Sequence, residues 1–172
     1  MRPRYMRAVI VPALSLLIAL LWLVPLARAL EVGARLPEIG LIDLNGKRVD
    51  LAALRGKVVV VDFLASWCAP CKQEMPILDR LYKKYRERGL VVIGVSVDQE
   101  LTNLRDLLKQ VKVTFPVVHD KAHAVADRYK PARMPSSYVI DRNGVVRHVH
   151  GGFRADDAAK IEAEVGALLG SP

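Results

Sequence analysis

The sequence predicts an α/β domain in which helices cover both faces of a mixed central sheet. Two continuous apolar runs rich in β-branched residues, at 57–65 and 90–98, are typical of strands that are buried on both faces. The segment between them, residues 70–88, repeats apolar residues at helical spacing and ends at Gly89, a residue that suits a helix end. A strand, a helix and a strand in this order predict a parallel pair joined by a crossover helix.

Polar turns divide the rest of the chain into hairpins and helices. Alternating residues around the Asn-Gly pair at 45–46 predict an N-terminal β-hairpin extension over residues 41–51. The Asn-Gly pair at 143–144 predicts a second hairpin over residues 137–151. The remaining predicted elements are helices at 101–111, 122–129 and 155–169, and a short strand at 115–120.

The first 29 residues are predicted to direct the chain out of the cytoplasm. A start with three arginines and no acid, an uncharged run at 8–27 and a small-x-small ending at 27–29 are typical of a secretory signal peptide. The uncharged run is also as long as the ~20 residues that span a bilayer, so an uncleaved membrane anchor is an alternative. Both interpretations place the predicted domain, residues 30–172, in the periplasm or on the outer face of the cytoplasmic membrane.

The net charge of +8 gives little support for a nucleic-acid partner. Four of the 26 basic residues lie in the first 29 positions, which leaves 22 basic against 18 acidic residues, or +4, for the predicted domain. That domain has no block of lysines and arginines and no aromatic residues interleaved with basic ones.

The two cysteines of the chain, Cys68 and Cys71, allow three interpretations: a structural disulfide, metal ligands or a working dithiol. A disulfide that closes so small a loop stabilises a fold very little. Cys68 falls where a buried strand gives way to a helix, and the positive end of the helix dipole favours the reactive thiolate. Pro70 is acceptable in the first helical turn. The pattern therefore favours a working dithiol.

Metal binding remains an alternative of a different class. Two thiolates fall short of the four ligands of a closed zinc site, so histidines would have to complete it. Histidines in such positions are expected to be surface residues, and we predict neither a resident metal nor a cofactor. Copper(I) accepts two soft sulfurs, so a copper(I) chaperone that uses the same cysteines and one histidine is the rival hypothesis. The four histidines are His119, His123, His148 and His150.

The motif WCAPCK at 67–72 resembles the active-site turn of the thioredoxin superfamily. The run 56–76, VVIGVSVD at 91–98 and MPSSYVIDRNG at 134–144 resemble its TlpA/ResA-like exported branch, and the likeness extends from about Val32 to the C-terminus. The resemblance implies a thioredoxin fold and a thiol-disulfide oxidoreductase that reduces client proteins and is recharged by a membrane electron donor. Its implied clients act in cytochrome c maturation or copper-site assembly. A thiol peroxidase is disfavoured because the TxxC pattern of peroxiredoxins is missing.

The resemblance also implies roles for residues around the dithiol. Cys68 would attack the client disulfide and Cys71 would resolve the mixed disulfide. Pro135 falls at the cis-proline position of the family, and Trp67 is either a neighbour of the dithiol or an ordinary core aromatic. The residues expected to contact the substrate are Trp67, Ala69, Pro70, Met134 and Pro135.

Two acidic residues are further candidates for the catalytic site. Asp62 interrupts an apolar run and matches the buried aspartate of thioredoxins, so we expect burial to raise its pKa and hypothesise that it is a general base toward Cys71. A hydrogen-bonded structural aspartate is the alternative. Relatives in the exported branch often carry asparagine there, and the lysine that accompanies the aspartate in thioredoxins has no match at 91–97. Glu74 matches a glutamate near the active site of ResA-like proteins, or else lies on a solvated helix face balanced by Lys72.

Overall fold

The computed structural model describes residues 29–170 of the 172-residue chain. Apart from Ala29, the predicted signal peptide or anchor lies outside these residues. Within the described part, no helix is both long enough and apolar enough to cross a membrane. The strands are β1 (Val58–Leu64), β2 (Leu90–Ser96), β3 (Val117–His119), β4 (Ser136–Ile140) and β5 (Val146–Gly151), and the α-helices are α1 (Ala69–Tyr85), α2 (Leu101–Gln110), α3 (Ala126–Tyr129) and α4 (Asp157–Leu169).

The five strands form one mixed sheet in the order β3-β2-β1-β4-β5. The pairs β1–β2 and β2–β3 are parallel, whereas β4 runs antiparallel to both β1 and β5. The sheet confirms the predicted mixed architecture, including the parallel pair on either side of α1. With two strands on either side, β1 is the central strand of the sheet.

Helices cover both faces of this sheet, as predicted. All seven residues of β1 are buried, and their side chains alternate between the two faces. Val60 and Leu64 belong to the apolar cluster that contains buried residues of α1 and α4. Val61 and Phe63 belong to the other cluster, with Tyr129 of α3 and the N-terminal segment. A strand that is covered on both sides requires the continuous apolar run that the sequence shows.

The N-terminal hairpin is shorter than the sequence pattern indicates. Residues 41–51 form a turn closed by one antiparallel bridge, Ile42 to Arg48, with Gly46 at φ +82°. The Asp43 carboxylate accepts the backbone N–H groups of Asn45 and Lys47 at 2.9 and 2.8 Å. Because the Asp43 side chain already stabilises the turn, the flanking residues do not require additional strand pairing.

The helix predicted at 122–129 is reduced to the single turn of α3. The Asp120 carboxylate accepts the backbone N–H groups of Val125 and Ala126 at 3.0 and 2.8 Å. His123 adopts a positive φ of 57°, which is incompatible with a right-handed helix at that position. The helix therefore begins only beyond these residues.

Gly94 in β2 is predicted to be intolerant of a side chain. A Cβ atom there would lie 3.0 Å from Leu64 Cδ2 and 3.2 Å from both Phe115 Cε2 and Val117 Cγ2. We expect Gly94→Ala to lower the free energy of unfolding by about 1–3 kcal/mol through overpacking, measured by urea denaturation of the oxidised protein.

The matched control is Gly166→Ala in α4, where a Cβ would have no neighbour within 4 Å. Alanine has the higher helix propensity, so we expect this variant to unfold at the same or a higher urea concentration. Equal stabilities for the two variants would contradict the packing described around β2.

Candidate active site

The dithiol lies at the junction between the central strand and the first helix. Cys68 is the N-cap residue of α1, and its Sγ accepts the backbone N–H of Cys71 at 3.2 Å. The two cysteines form a disulfide with a Cα–Cα distance of 5.3 Å. Cys68 keeps 4% of its surface exposed and Cys71 none, so Cys68 is the sulfur that a partner reaches first.

The turn before the dithiol is held by Asp98, a residue that the sequence analysis did not identify as part of the site. Its buried carboxylate accepts the backbone N–H of Ser66 at 3.1 Å and the Ser66 hydroxyl at 2.7 Å. It also accepts the Ser96 hydroxyl at 2.9 Å. The sequence did contain a signal for this contact. The two parallel strands end at the same edge of the sheet, and Ser66 and Asp98 each come two residues after the end of their strand.

The residues expected to contact substrate lie in two segments of the chain, at 67–70 and at 134–135. Trp67 is 67% exposed, so its interpretation as a core aromatic is wrong. Ala69 is exposed and Pro70 is half-buried in the first turn of α1. The Met134–Pro135 peptide bond is cis, and Met134 packs against the apolar cluster that contains both cysteines.

A pair of buried carboxyl groups lies where β1, α1 and β4 meet. Asp62 in β1 is fully buried, and Glu74 in α1 is 1% exposed, so the solvated interpretation of Glu74 is wrong. Ser137 of β4 lies between them, with its Oγ 3.0 Å from Asp62 Oδ1 and 2.6 Å from Glu74 Oε1. Glu74 follows Cys71 by three residues and therefore lies on the same face of α1. Ser137, which the register of β4 places opposite Asp62, was also missed from the sequence.

Burial changes the acidity of both carboxyl groups. It raises the pKa of Asp62 well above its ordinary range, and the negative charge of Glu74 raises it further. Burial also raises the pKa of Glu74, to about 7, with a smaller contribution from Asp157. The Ser137 hydroxyl opposes both shifts in pKa. The predicted rise in the pKa of Asp62 is thus confirmed.

The histidines have polar partners of their own, and the expected surface position is wrong for His150, which is buried at 8% exposed. His148 and His150 both contact the Glu164 carboxylate of α4, at 3.3 and 2.6 Å. The rings of His119 and His123 contact the Asp98 carbonyl and the Gln99 side chain. Among residues 29–170, no group of three or more histidine, cysteine, aspartate or glutamate side chains could hold a metal ion.

Comparisons with known proteins agree with this fold and dithiol. Residues 32–149 match the AhpC/TSA family. The chain is 35% identical over 117 residues to the thiol-disulfide oxidoreductase ResA of a Bacillus cereus strain, covering 68% of each chain. It is 33% identical over 136 residues to ResA of Geobacillus thermodenitrificans, covering 79% of this chain and 78% of that one. A crystal structure of a Chlorobium tepidum protein assigned as the thiol:disulfide interchange protein DsbE superposes with a TM-score of 0.79 at 36% identity, over 83% of this chain and all of that one.

The thioredoxin fold and a dithiol at a helix N-terminus define the thioredoxin superfamily. Within it, the chain belongs to the AhpC/TSA family and groups with the ResA proteins. It is a thiol-disulfide oxidoreductase.

Glu74 is predicted to make stability fall as the pH rises. Its pKa is about 7 in the folded protein and 4.5 in an ordinary environment, so between these values the native state holds a proton that the unfolded chain releases. The free energy of unfolding should therefore decrease from pH 4.5 to about 7, and Glu74→Gln should weaken that decrease. Urea denaturation across this pH range is the measurement.

Glu162→Gln is the control, because the Lys84 ammonium lowers the pKa of Glu162. A lowered pKa contributes stability that is lost as the pH falls, which is the opposite sign. The Glu162→Gln protein should keep the full decrease between pH 4.5 and about 7. A Glu74→Gln protein that also keeps it in full would contradict the burial of this carboxyl group.

Proposed function

We propose that the protein is a reductase of the cell envelope that transfers electrons from the Cys68–Cys71 dithiol to disulfides of client proteins. The observation that carries this proposal is the position of Cys68. It is the N-cap of α1, the more exposed of the two sulfurs, and it follows the solvent-exposed Trp67 directly. A sulfur at a helix N-terminus favours the thiolate, which is the attacking species in disulfide exchange.

The reaction proceeds through two exchanges of sulfur bonds. The Cys68 thiolate attacks a client disulfide, forms a mixed disulfide and releases one client sulfur as a thiolate. The Cys71 thiol then loses its proton and attacks Cys68 Sγ, which releases the second client sulfur. Two electrons have passed to the client, and Cys68 and Cys71 form the disulfide seen in the structure. A membrane thiol-disulfide donor restores the dithiol by the reverse exchange.

Asp62 and Glu74 are proposed to assist the second exchange. Cys71 is fully buried, so bulk water has poor access to the proton that its thiol must release. Asp62 lies on the face of β1 that packs against α1, and Glu74 lies one turn beyond Cys71. A carboxylate with a raised pKa is a suitable general base near neutral pH.

Client proteins are proposed to dock on the surface around Cys68. Trp67 supplies an apolar surface, and Ala69 and Pro70 form the outer side of the turn. Met134 and Pro135 are proposed to present their backbone to an extended client segment, in the manner of an added strand.

The proposed location and clients rest on the N-terminal sequence and on the ResA and DsbE relatives. Residues 1–29 have the pattern of a signal peptide or anchor, which supports a periplasmic or membrane-anchored enzyme. The proposed clients are the haem-site cysteines of apocytochrome c or proteins of copper-site assembly, as the resemblance to the TlpA/ResA-like branch implies.

Replacing either cysteine is expected to separate the two exchanges. Cys68→Ser should lose catalysed reduction of a protein disulfide, whereas Cys71→Ser should accumulate a mixed disulfide that non-reducing electrophoresis detects. Gln73→Ala, at an exposed position of α1, is the control that should retain activity. Full activity in Cys68→Ser, or copper(I) retention without reductase activity in the unaltered protein, would contradict the proposal.

Trp67→Ala is expected to weaken client recognition without weakening the fold. An exposed aromatic side chain that anchors a partner contributes about 1–2 kcal/mol, so kcat/KM for a protein client should fall about tenfold. Ile42→Ala is the control, because Ile42 is 61% exposed and lies on the N-terminal turn. Equal effects of the two substitutions on kcat/KM would exclude Trp67 as a specific contact.

A further inference from the structure

The hydrogen bonds around Ser137 require a proton on the buried carboxyl pair. Ser137 Oγ lies within hydrogen-bond distance of Asp62 Oδ1 and of Glu74 Oε1, at 3.0 and 2.6 Å. A serine hydroxyl has one hydrogen, so it donates to only one of these oxygens. The other contact is a hydrogen bond only if that carboxyl group is protonated and donates to Ser137 Oγ.

The surroundings of the pair disfavour two negative charges. Asp62, Glu74 and Ser137 are each at most 1% exposed. No ion pair formed within the described part of the chain includes either carboxyl group. Asp62 Oδ2 and Glu74 Oε2 have no hydrogen-bond partner among residues 29–170. Two unpaired charges at this depth would be strongly unfavourable.

We propose that Ser137 is a positioning residue that joins Asp62 and Glu74 into one unit holding a single shared proton behind the oxidised dithiol. A half-protonated unit has both an acidic and a basic form available at once. It accepts a proton at its carboxylate and supplies one from its carboxylic acid. Neither carboxyl group has both properties by itself.

This unit balances the protons of the exchange, and that part of the inference rests on the proposed function. When Cys71 attacks Cys68 Sγ, the bond between Cys68 and the client sulfur breaks and the Cys71–Cys68 bond forms. The proton of the Cys71 thiol passes to the carboxylate of the pair. The pair, which then holds two protons, releases one to solvent and is singly protonated again, and the client thiolate takes its own proton from solvent. During re-reduction, Cys71 leaves as a thiolate and recovers a proton from the carboxylic acid of the pair, and the pair takes one proton back from solvent.

Other ionisable groups lie on the elements packed against the pair. Cys71 is on α1, and His150 of β5 is the register partner of Ser137. Asp157 and Glu164 are on α4, where Glu164 contacts His150 and the charge of Asp157 raises the pKa of Glu74. The β2 residue paired with Asp62 is Gly94, which brings no side chain. None of these groups replaces the bridge through Ser137.

The test is a titration of the side-chain carboxyl carbons of Asp62 and Glu74 by ¹³C NMR in the oxidised full-length protein. If the pair shares one proton, the chemical shifts of both carbons should show the same two titration steps, with midpoints separated by more than about one pH unit. Asp62→Asn and Glu74→Gln should each reduce the remaining group to a single step with a changed midpoint. Independent single steps in the unaltered protein, unchanged in these variants, would overturn the proposal.

Ser137 itself is tested by Ser137→Ala, which removes the hydroxyl that lies between the two groups, so the midpoints of the two titration steps should move. Ser137→Thr retains a hydroxyl and should keep the two coupled steps. Ser136→Ala is the matched control, because Ser136 is a buried neighbour whose hydroxyl donates to the Arg133 carbonyl. Unaltered titration in Ser137→Ala would overturn the role of the bridge.

Because the titration uses oxidised protein without a client, its result is independent of reductase activity. Coupled titration combined with full activity in Cys68→Ser would refute the proposed function and leave the shared proton in place. Normal reductase activity with uncoupled carboxyl groups would refute only the shared proton. The pH profile for resolution of the mixed disulfide should shift in Ser137→Ala and stay unchanged in Ser136→Ala.

Discussion

The fixed end of the central strand is the constraint on which the site depends. β1 is hydrogen-bonded to β2 and β4 along its two edges and is buried on both faces. The carboxyl end of β1 is therefore held in a fixed position relative to the rest of the sheet. The turn that follows places Cys68 at the start of α1, and Asp98 holds that turn through Ser66. The position of the reactive Cys68 thus depends on the rigidity of the buried strand β1.

The domain also buries carboxyl groups whose removal from water is compensated to different degrees. Removing a carboxyl group from water is unfavourable unless it is hydrogen-bonded or neutralised. Asp98 is compensated by three hydrogen-bond donor groups, whereas Asp62 and Glu74 share one hydroxyl and keep an oxygen each without a partner in the described residues. Perturbed carboxyl groups of this kind concentrate at functional sites. We infer that the pair persists because proton transfer at the dithiol requires it.

The sequence predicted the elements that have a clear local pattern of residues. Apolar runs identified β1 and β2, helical spacing identified α1, and two cysteines at a strand-to-helix junction identified the dithiol. Contacts between segments that are far apart in the sequence could not be predicted in this way. Ser137 approaches Glu74 only because β4 pairs with β1 beneath α1, and the sequence contains no record of that register. The same lack of information left the burial of Glu74 undecided.

The central claim is that Cys68–Cys71 is a working dithiol, and its reduction potential is the most direct test. The measurement equilibrates the full-length protein in glutathione and dithiothreitol redox buffers and quantifies the free thiols. We expect a potential above about −300 mV, because structural disulfides of secreted proteins typically lie below that level. A potential well below it, together with failure to exchange with any protein disulfide, would contradict this account.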